Sequence, residues 1–231
     1  MQYNMKKIIS FCLWGNNPKY CIGAIKNSEL YKTIYPDWIC RFYIGYDVDV
    51  KIIHNLIKND CEVVIMPPNI NGWINLLWRF KPSIDSEVDI FICRDTDSRL
   101  NLREKFAVDE WLKSNKSIHI MRDHPYHNNS MLAGMIGFKR SIFETLNASL
   151  RQFTFKDEYG TDYNFFNNVL YPIIKEDCII HDEIFDKKPF PTKRLNNEFV
   201  GQVLDENDIV NSYHQLVLEQ YLNENKQSYT I

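Results

Sequence analysis

The sequence predicts an α/β fold, a Rossmann-like and mainly parallel sheet flanked by helices. Two observations predict it. Short apolar runs alternate with segments of helical spacing through the first 120 residues, an order typical of a parallel sheet covered on both faces. The 231 residues are 45% hydrophobic and 14% aromatic, enough for one large core. We expect a single domain over residues 1–231, ending in a less regular extension or flap at 186–231.

The first half of the chain contains four predicted strands. Each is an apolar, β-branched or aromatic run that stops at a turn signal, such as Gly15-Asn16 or Pro67-Pro68. The strands are expected at 7–14, 39–45, 62–66 and 88–93. Apolar residues at helical spacing predict helices at 20–31, 50–58 and 71–80.

The second half is predicted to alternate in the same way, with a less regular end. Helices are expected at 103–114, 141–150 and 162–170, and strands at 117–121, 131–138 and 178–180. Gly134 and Gly137 lie in the 131–138 strand, where a missing side chain permits close approach of the backbone to a ligand.

The predicted strand at 88–93 leads into the most informative stretch, RDTDSR at 94–99. Residues i and i+2 of an extended chain point to the same side, so Asp95 and Asp97 present two carboxylates together. Ligands of open α/β sheets bind at this carboxyl end of the strands. Two close carboxylates need a counter-charge, and hard oxygen ligands suit Mg²⁺ or Mn²⁺. Arg94 and Arg99 add positive charge suited to a bound anion such as phosphate.

Composition excludes several classes of protein. A net charge of −3 gives no electrostatic reason to expect nucleic acid or an anionic membrane as the main partner. No run approaches the ~20 apolar residues of a membrane span, and the apolar run at 8–14 is interpreted as a strand rather than a signal peptide. The six cysteines form no CxxC pair, which predicts free thiols in a reducing, cytoplasmic setting.

A wider set of motifs resembles the GT-A class of glycosyltransferases over residues 7–185. The motifs are WRF at 78–80, RDTDSR at 94–99, REKFAVDEW at 103–111, HIMRDHPYH at 119–127, GMIGFK at 134–139 and YGTDYNFF at 159–166. Together they are similar to a group of small GT-A-like proteins from bacteria and large viruses. The resemblance implies a nucleotide-sugar-binding half at 1–100 and an acceptor and catalytic half at 101–185.

The resemblance also implies a reaction and a donor site. It implies metal-dependent transfer of a sugar from a nucleotide donor, here expected to be a UDP-sugar, to a hydroxyl of a glycan or other acceptor. Mn²⁺ or Mg²⁺ would be held by Asp97, by Asp95 and by His181, the one histidine at a matching place. The predicted donor contacts are Trp14, Gly15 and Asn16 at the base, with Arg79, Arg94, Asp95 and Thr96 at the ribose and diphosphate.

An inverting enzyme of this class needs a general base for the acceptor hydroxyl. Asp162, at the start of a predicted helix, is the first candidate by resemblance, and Asp123 is the second. Related sequences often have Gln after that Asp, whereas Tyr163 follows here. In a retaining enzyme, Asp162 would instead contact the acceptor or the donor sugar.

Two other functions fit parts of the pattern. Phosphatases of the haloacid dehalogenase type also have Asp-x-Asp after a buried strand, but they need Thr or Val where this chain has Arg99. A protein that binds nucleotide-sugars or glycans without turnover would keep the same fold. Slow metal-dependent hydrolysis of a nucleotide-sugar would distinguish an enzyme from such a binding protein.

Overall fold

The computed structural model describes residues 5–68 and 72–227. The first residue of the predicted 71–80 helix and both ends of the predicted 1–231 domain lie outside these ranges. The described chain forms one seven-stranded sheet in the order β3-β2-β1-β4-β6-β5-β7. The strands are β1 (Lys6–Leu13), β2 (Ile39–Ile44), β3 (Glu62–Ile65), β4 (Val88–Cys93), β5 (Ile118–Arg122), β6 (Ile136–Lys139) and β7 (Cys178–Asp182).

The sheet is mainly parallel, as the sequence predicts. β1 pairs in parallel with β2 and β4, β2 with β3, and β5 with β7. The exception is β6, which is antiparallel to both β4 and β5. Because β6 runs antiparallel to both neighbours, β4 and β5 end at the same edge of the sheet, and the carboxyl ends of six strands meet there.

Helices cover both faces of the sheet. They are α1 (Pro18–Ile34), α2 (Val50–Lys58), α3 (Leu102–Lys113), α4 (Phe143–Gln152), α5 (Thr161–Phe165), α6 (Tyr171–Ile174) and α7 (Ser212–Gln227). Asn17, Asp49 and Asn101 cap α1, α2 and α3, each accepting a backbone N–H with its side chain. Among residues 5–68 and 72–227, no helix has the length and apolarity that crossing a bilayer requires.

Successive residues of the central strands enter different cores, because side chains alternate across a sheet. Ile9, Phe11 and Leu13 of β1 pack in the core beneath α1, α2 and α3, where the rings of Phe11 and Phe42 stack 4.8 Å apart. Ile8 joins the opposite core. The buried faces thus hold the strands in register and bring their polar carboxyl-terminal loops to one edge.

Three predicted elements differ from the structure. The segment Trp73–Ile84 is a 3₁₀ helix, and Pro82 inside it cannot donate the backbone hydrogen bond of a regular α-helix. Of the strand expected at 131–138, only the end pairs, as β6, and Gly137 packs against Trp111 in the core rather than near a ligand. The helix expected at 162–170 contains a π-helical turn, Phe166–Leu170.

The chain beyond residue 186 packs against the body of the molecule. Phe190 and Val200 are buried with Met121 and Met135. Farther along, the backbone N–H of Leu204 donates to the carbonyl of Asp97 at 2.8 Å. The tail therefore lies against the loop that follows β4.

Candidate active site

The loop at 94–99 turns away from the sheet as soon as β4 ends. Both the backbone N–H and the hydroxyl of Ser98 donate to the carbonyl of Asp95, at 3.3 and 3.0 Å. This turn leaves the Asp95 side chain 48% exposed and the Asp97 side chain 14% exposed. The two carboxylates thus lie at the carboxyl edge of the sheet, where the sequence predicts them.

Asp95 pairs with Arg79. Nη1 of Arg79 lies 2.5 Å from Oδ1 of Asp95, while its Nε donates to the carbonyl of Leu76 at 3.0 Å. Burial disfavours the charge of Arg79, but Asp95 and other nearby groups, including Asp162, together outweigh that cost and raise the pKa of the guanidinium. Gly134 allows Asp95 to sit here, since a Cβ at that position would lie 1.9 Å from Oδ2 of Asp95.

Asp97 pairs with Lys19, in the first turn of α1. Nζ of Lys19 is 2.7 Å from Oδ2 of Asp97. Burial, reinforced by the charge of Asp95, raises the pKa of Asp97, while Lys19 opposes that rise. Burial lowers the pKa of Lys19, and the hydrogen bond and charge of Asp97 reverse this to a net increase. Each carboxylate of the pair therefore has its own cation.

Asp162 brings a third carboxylate into the same electrostatic neighbourhood. It lies in the first turn of α5, after Gly160 with φ +80°, and it is buried. Burial raises its pKa, Asp95 raises it further, and Arg79 opposes the rise. Three carboxylates thus face two cations, Arg79 and Lys19. The excess negative charge suits an additional cation.

The carboxylate pair fits a hard divalent ion. Such ions accept one or two carboxylates and fill their remaining positions with water and substrate phosphates. In the part of the chain that the structure describes, no group of three or more His, Cys, Asp and Glu side chains is arranged for a metal. The ligands here would therefore be Asp95 and Asp97, with non-protein oxygens completing the shell.

Several aromatic side chains lie near this site. Trp73 and Tyr159 are exposed and meet edge to face with centroids 5.1 Å apart. Asp157 ties their two segments together by accepting the backbone N–H of Ile74 at 3.2 Å. Burial, and then the charges of nearby groups including Asp162, raises the pKa of Tyr163.

The predicted base-binding residues follow β1 at the same edge of the sheet. Trp14 lies edge-on to Trp78 with centroids 6.3 Å apart, Gly15 has φ +70°, and Asn16 is exposed. Thr96 is buried against α1, where its carbonyl lies 2.0 Å from where a Cβ of Gly23 would be.

Arg94 does not join the carboxylate pair. Its buried side chain donates from Nε to Oε1 of Glu104 at 3.3 Å and from Nη1 to the carbonyl of Cys93 at 2.7 Å. The hydroxyl of Tyr35 donates to the same Glu104 oxygen at 3.1 Å. Arg94 alternates in direction with Asp95 along the extended chain, so it faces α3. It contributes an internal ion pair.

The structure does not bring His181 to the carboxylate pair either. It lies in β7, three strands from β4, roughly 14 Å at ~4.8 Å per strand. Its Nδ1 shares a 2.8 Å hydrogen bond with Nε2 of His119, and its Nε2 lies 3.8 Å from Oε1 of Glu110. Burial lowers the pKa of His181. Its described partners are thus a histidine and a glutamate on the α3 face.

Asp123 is fully buried, and both of its oxygens are occupied. Arg103 donates to them from Nε at 2.8 Å and Nη2 at 2.9 Å, and Nη2 of Arg194 donates at 2.6 Å. The backbone N–H of Val200 adds a further bond at 2.9 Å. An acceptor hydroxyl has no access to this carboxylate, so of the two candidate bases only Asp162 borders the Asp95 region.

Lys19 is the site residue that the sequence analysis missed. It lies in the loop-to-helix junction after β1, at the same edge as Asp97. The position of a predicted helix start after a strand could have identified it. Nothing in the sequence, however, indicates that its ammonium group pairs with Asp97.

No protein-family model and no curated protein matches this sequence. Solved structures do share its architecture. Glucosyl-3-phosphoglycerate synthase from Mycobacterium tuberculosis in complex with UDP is similar at a TM-score of 0.51 and 14% identity, covering 83% of this chain and 73% of that one. The fold is that of GT-A glycosyltransferases.

The same synthase is also similar in two metal complexes. The complex with Mn²⁺, UDP-glucose and phosphoglyceric acid has a TM-score of 0.50 at 14% identity, covering 76% of this chain and 69% of that chain. The complex with Mg²⁺ and UDP has a TM-score of 0.50 at 13% identity, covering 83% and 72%. At these identities, the likeness establishes the GT-A-like fold and leaves the activity to the site itself.

Proposed function

We propose that this protein is a metal-dependent glycosyltransferase that moves a sugar from a UDP-sugar to a hydroxyl of a glycan or other acceptor. The observation that carries the proposal is the carboxylate pair, Asp95 and Asp97, at the carboxyl edge of a GT-A-like sheet with a third buried carboxylate beside it. Structures of similar fold were solved with UDP and with Mn²⁺ or Mg²⁺. The same nucleotide and metals are proposed here, together with membership in the small bacterial and viral group.

Asp95 and Asp97 would hold the metal. A bound divalent cation would stabilise the negative charge that grows on the departing nucleoside diphosphate. The protein's own side chains would supply the other contacts with the donor. Arg79 is buried and held by the Leu76 carbonyl, so it presents a fixed positive charge beside Asp95 that suits a diphosphate. Trp14, Gly15 and Asn16 would line the base site at the end of β1.

Asp162 would act as the general base for the acceptor hydroxyl. Its burial and raised pKa make its carboxylate more basic than an exposed aspartate, as a base operating near neutral pH requires. The exposed Trp73 and Tyr159 border this region and would offer ring faces to an acceptor. If the reaction retains configuration, Asp162 would instead position a sugar.

Two alternatives remain for comparison. A binding protein without turnover would share every feature except the need for a base, and the burial of Asp162 beside Asp95 favours an enzyme. A phosphatase of the haloacid dehalogenase type would use Asp95 as a nucleophile, but here that carboxylate is paired with Arg79. The six cysteines are free, in keeping with the proposed cytoplasmic location.

The test is slow hydrolysis of nucleotide-sugars. Release of UDP would be followed from UDP-glucose, UDP-galactose and UDP-N-acetylglucosamine, with Mn²⁺ and with EDTA. We expect hydrolysis of at least one donor that requires the metal and is lost in Asp97→Asn. Asp109→Asn is the matched control, since Asp109 pairs with Lys105 on the surface of α3. Metal-dependent binding of UDP without release of UDP from any of the three donors would favour the binding protein. A protein that neither binds UDP nor releases it from any donor would overturn the proposal.

A further inference from the structure

We propose that Lys19 is a resident counter-ion of the metal site that exchanges its partner from Asp97 to the donor diphosphate, so that metal and nucleotide bind cooperatively. The inference rests on the proposed function and deepens it. It assigns to Lys19 both a contact with the nucleoside diphosphate and control over access of the metal to Asp97.

In the free protein, Asp97 is already occupied by Lys19. Nζ of Lys19 lies 2.7 Å from Oδ2 of Asp97, and the Asp97 side chain is largely shielded from water. A divalent ion that binds Asp97 must approach an ammonium group at a distance of a few ångströms. Like charges this close repel strongly where solvent is largely excluded. Metal binding to the free protein is therefore opposed for as long as Lys19 stays in place.

The two cations of the site, Arg79 and Lys19, differ in how firmly they are held. Arg79 is buried, and its Nε is fixed by the Leu76 carbonyl while Nη1 holds Asp95. Lys19 is partly exposed, and its ammonium lies 5.1 Å from the centroid of the Tyr20 ring. A lysine carries its charge on a flexible four-carbon stem. Of the two cations, Lys19 is the one that is free to move.

The ammonium group of Lys19 has an anion-binding position within reach when it leaves Asp97. Lys19 lies in the first turn of the 17-residue helix α1, the end at which backbone dipoles favour an anion. A diphosphate that binds together with the metal would form an ion pair with the ammonium group of Lys19 there. Asp97 would then be released to the metal without stranding either charge.

The consequence is a thermodynamic coupling. Nucleotide should raise the affinity for metal and, by linkage, metal should raise the affinity for nucleotide by the same factor. Removing the ammonium should abolish the competition for Asp97. Metal alone would then bind more tightly, nucleotide would bind more weakly, and the coupling would shrink.

Calorimetric titrations test this with Mn²⁺ alone, UDP alone and UDP at saturating Mn²⁺. The proteins are the wild type, Lys19→Met, Lys19→Gln and the control Lys26→Met. Lys26 lies on the same helix and forms a comparable ion pair with Asp208 at 2.5 Å. We expect Lys19→Met to bind Mn²⁺ alone about 5- to 10-fold more tightly and to lose about tenfold of the coupling factor, within the usual range of coupling energies. Lys26→Met should resemble the wild type.

The outcomes separate the inference from the proposed function. Unchanged or weaker binding of Mn²⁺ alone in both Lys19 variants, with the coupling intact, would overturn the inference and leave the transferase proposal standing. A wild type that binds both ligands without coupling would do the same. A wild type that binds no UDP at any concentration of Mn²⁺ would overturn the proposed function, and the inference with it.

Discussion

Two of the aspartate–arginine clusters in the described chain, centred on Asp95 and on Asp123, differ in what their carboxylate oxygens have left to bind. The open cluster consists of Asp95, Arg79 and the neighbouring Asp97, and in it Asp95 is half exposed and contacts Arg79 through one oxygen. In the closed cluster, Asp123 is fully buried, and Arg103, Arg194 and the Val200 N–H saturate both oxygens. Both aspartates follow strands that end at the same edge of the sheet.

The difference shows that position at the carboxyl edge does not by itself make a carboxylate functional. A buried ion pair whose hydrogen bonds are complete holds the structure together, and removing one partner leaves a charge stranded. A carboxylate with free lone pairs beside cations and a second carboxylate is able to take a further ligand. In the closed cluster, residues 190–200 of the tail supply the covering groups.

The largest effect is expected at the open cluster, from Asp97→Asn. Loss of a metal ligand removes several kcal/mol of charge stabilisation, so turnover should fall by about a thousandfold or more. The free energy of unfolding should change by less than ~1 kcal/mol, since the neutral amide avoids the burial cost that raises the pKa of Asp97, and this offsets the loss of the Lys19 pair. Assays of UDP release and urea denaturation measure the two quantities. Turnover near the wild-type rate would remove Asp97 from the site.

Asp162→Asn should come next, because the amide cannot accept the acceptor proton. General-base catalysis contributes about 10²- to 10⁴-fold, so transfer should fall by that factor while UDP affinity stays within about twofold of the wild type. Initial rates and calorimetry with UDP and Mn²⁺ provide the comparison. A large loss of UDP affinity with little change in the rate constant would reassign Asp162 to donor binding.

Asp123→Asn should reverse the pattern of Asp97→Asn. The new NH₂ group would face the N–H groups of Arg103 and Arg194 and leave the buried arginines without a counter-charge. This should lower the free energy of unfolding by about 3–5 kcal/mol. The melting temperature should drop by roughly 10 °C for a chain of this size, while the rate per folded molecule remains close to that of the wild type. Normal stability combined with lost turnover would place Asp123 in the catalytic machinery.

The closed cluster should also be the more acid-sensitive of the two. Nδ1 of His127 accepts the backbone N–H of Asp123, and burial lowers the pKa of His127 from 6.5 to about 3. Below pH 6.5 the unfolded chain binds a proton that the folded chain cannot, so stability falls as the pH falls. Between pH 7.5 and 5.5, proton uptake by His127 in the unfolded chain should by itself lower the free energy of unfolding by ~1.4 kcal/mol.

His127→Asn isolates this contribution, because the Asn oxygen can accept the same N–H. Urea denaturation at pH 7.5 and 5.5 should show that the free energy of unfolding falls by ~1.4 kcal/mol less in the variant than in the wild type. An equal loss in both proteins would show that His127 is protonated in the folded state.

Much of the fold could be predicted from local patterns. The runs at β1, β2 and β3 are apolar and end at Gly or Pro signals, and α2 lies at 50–58 as expected. The mainly parallel sheet, confirmed here, follows from the alternation of strands and helices. The direction of Asp95 and Asp97 required only the two-residue period of an extended chain.

The parts of the site that depend on spatial order could not be predicted. His181 lies one residue before the end of β7, at the correct edge, but the sequence does not reveal that β7 lies three strands from β4. From the sequence alone, Arg79 and Arg94 are equally plausible anion ligands. Only the packing of the folded chain places Arg79 against Asp95 and Arg94 against Glu104. The pairing of Lys19 with Asp97 likewise depends on the junction between β1 and α1.

One titration tests the distinction between the open and the closed cluster most directly. UDP would be titrated calorimetrically into the wild type, Asp97→Asn and Asp123→Asn, each with Mn²⁺ and with EDTA. We expect metal-dependent binding in the wild type and in the folded fraction of Asp123→Asn, and none in Asp97→Asn. Metal-dependent binding that survives Asp97→Asn, or that disappears in folded Asp123→Asn, would contradict the assignment of the nucleotide site to the open cluster.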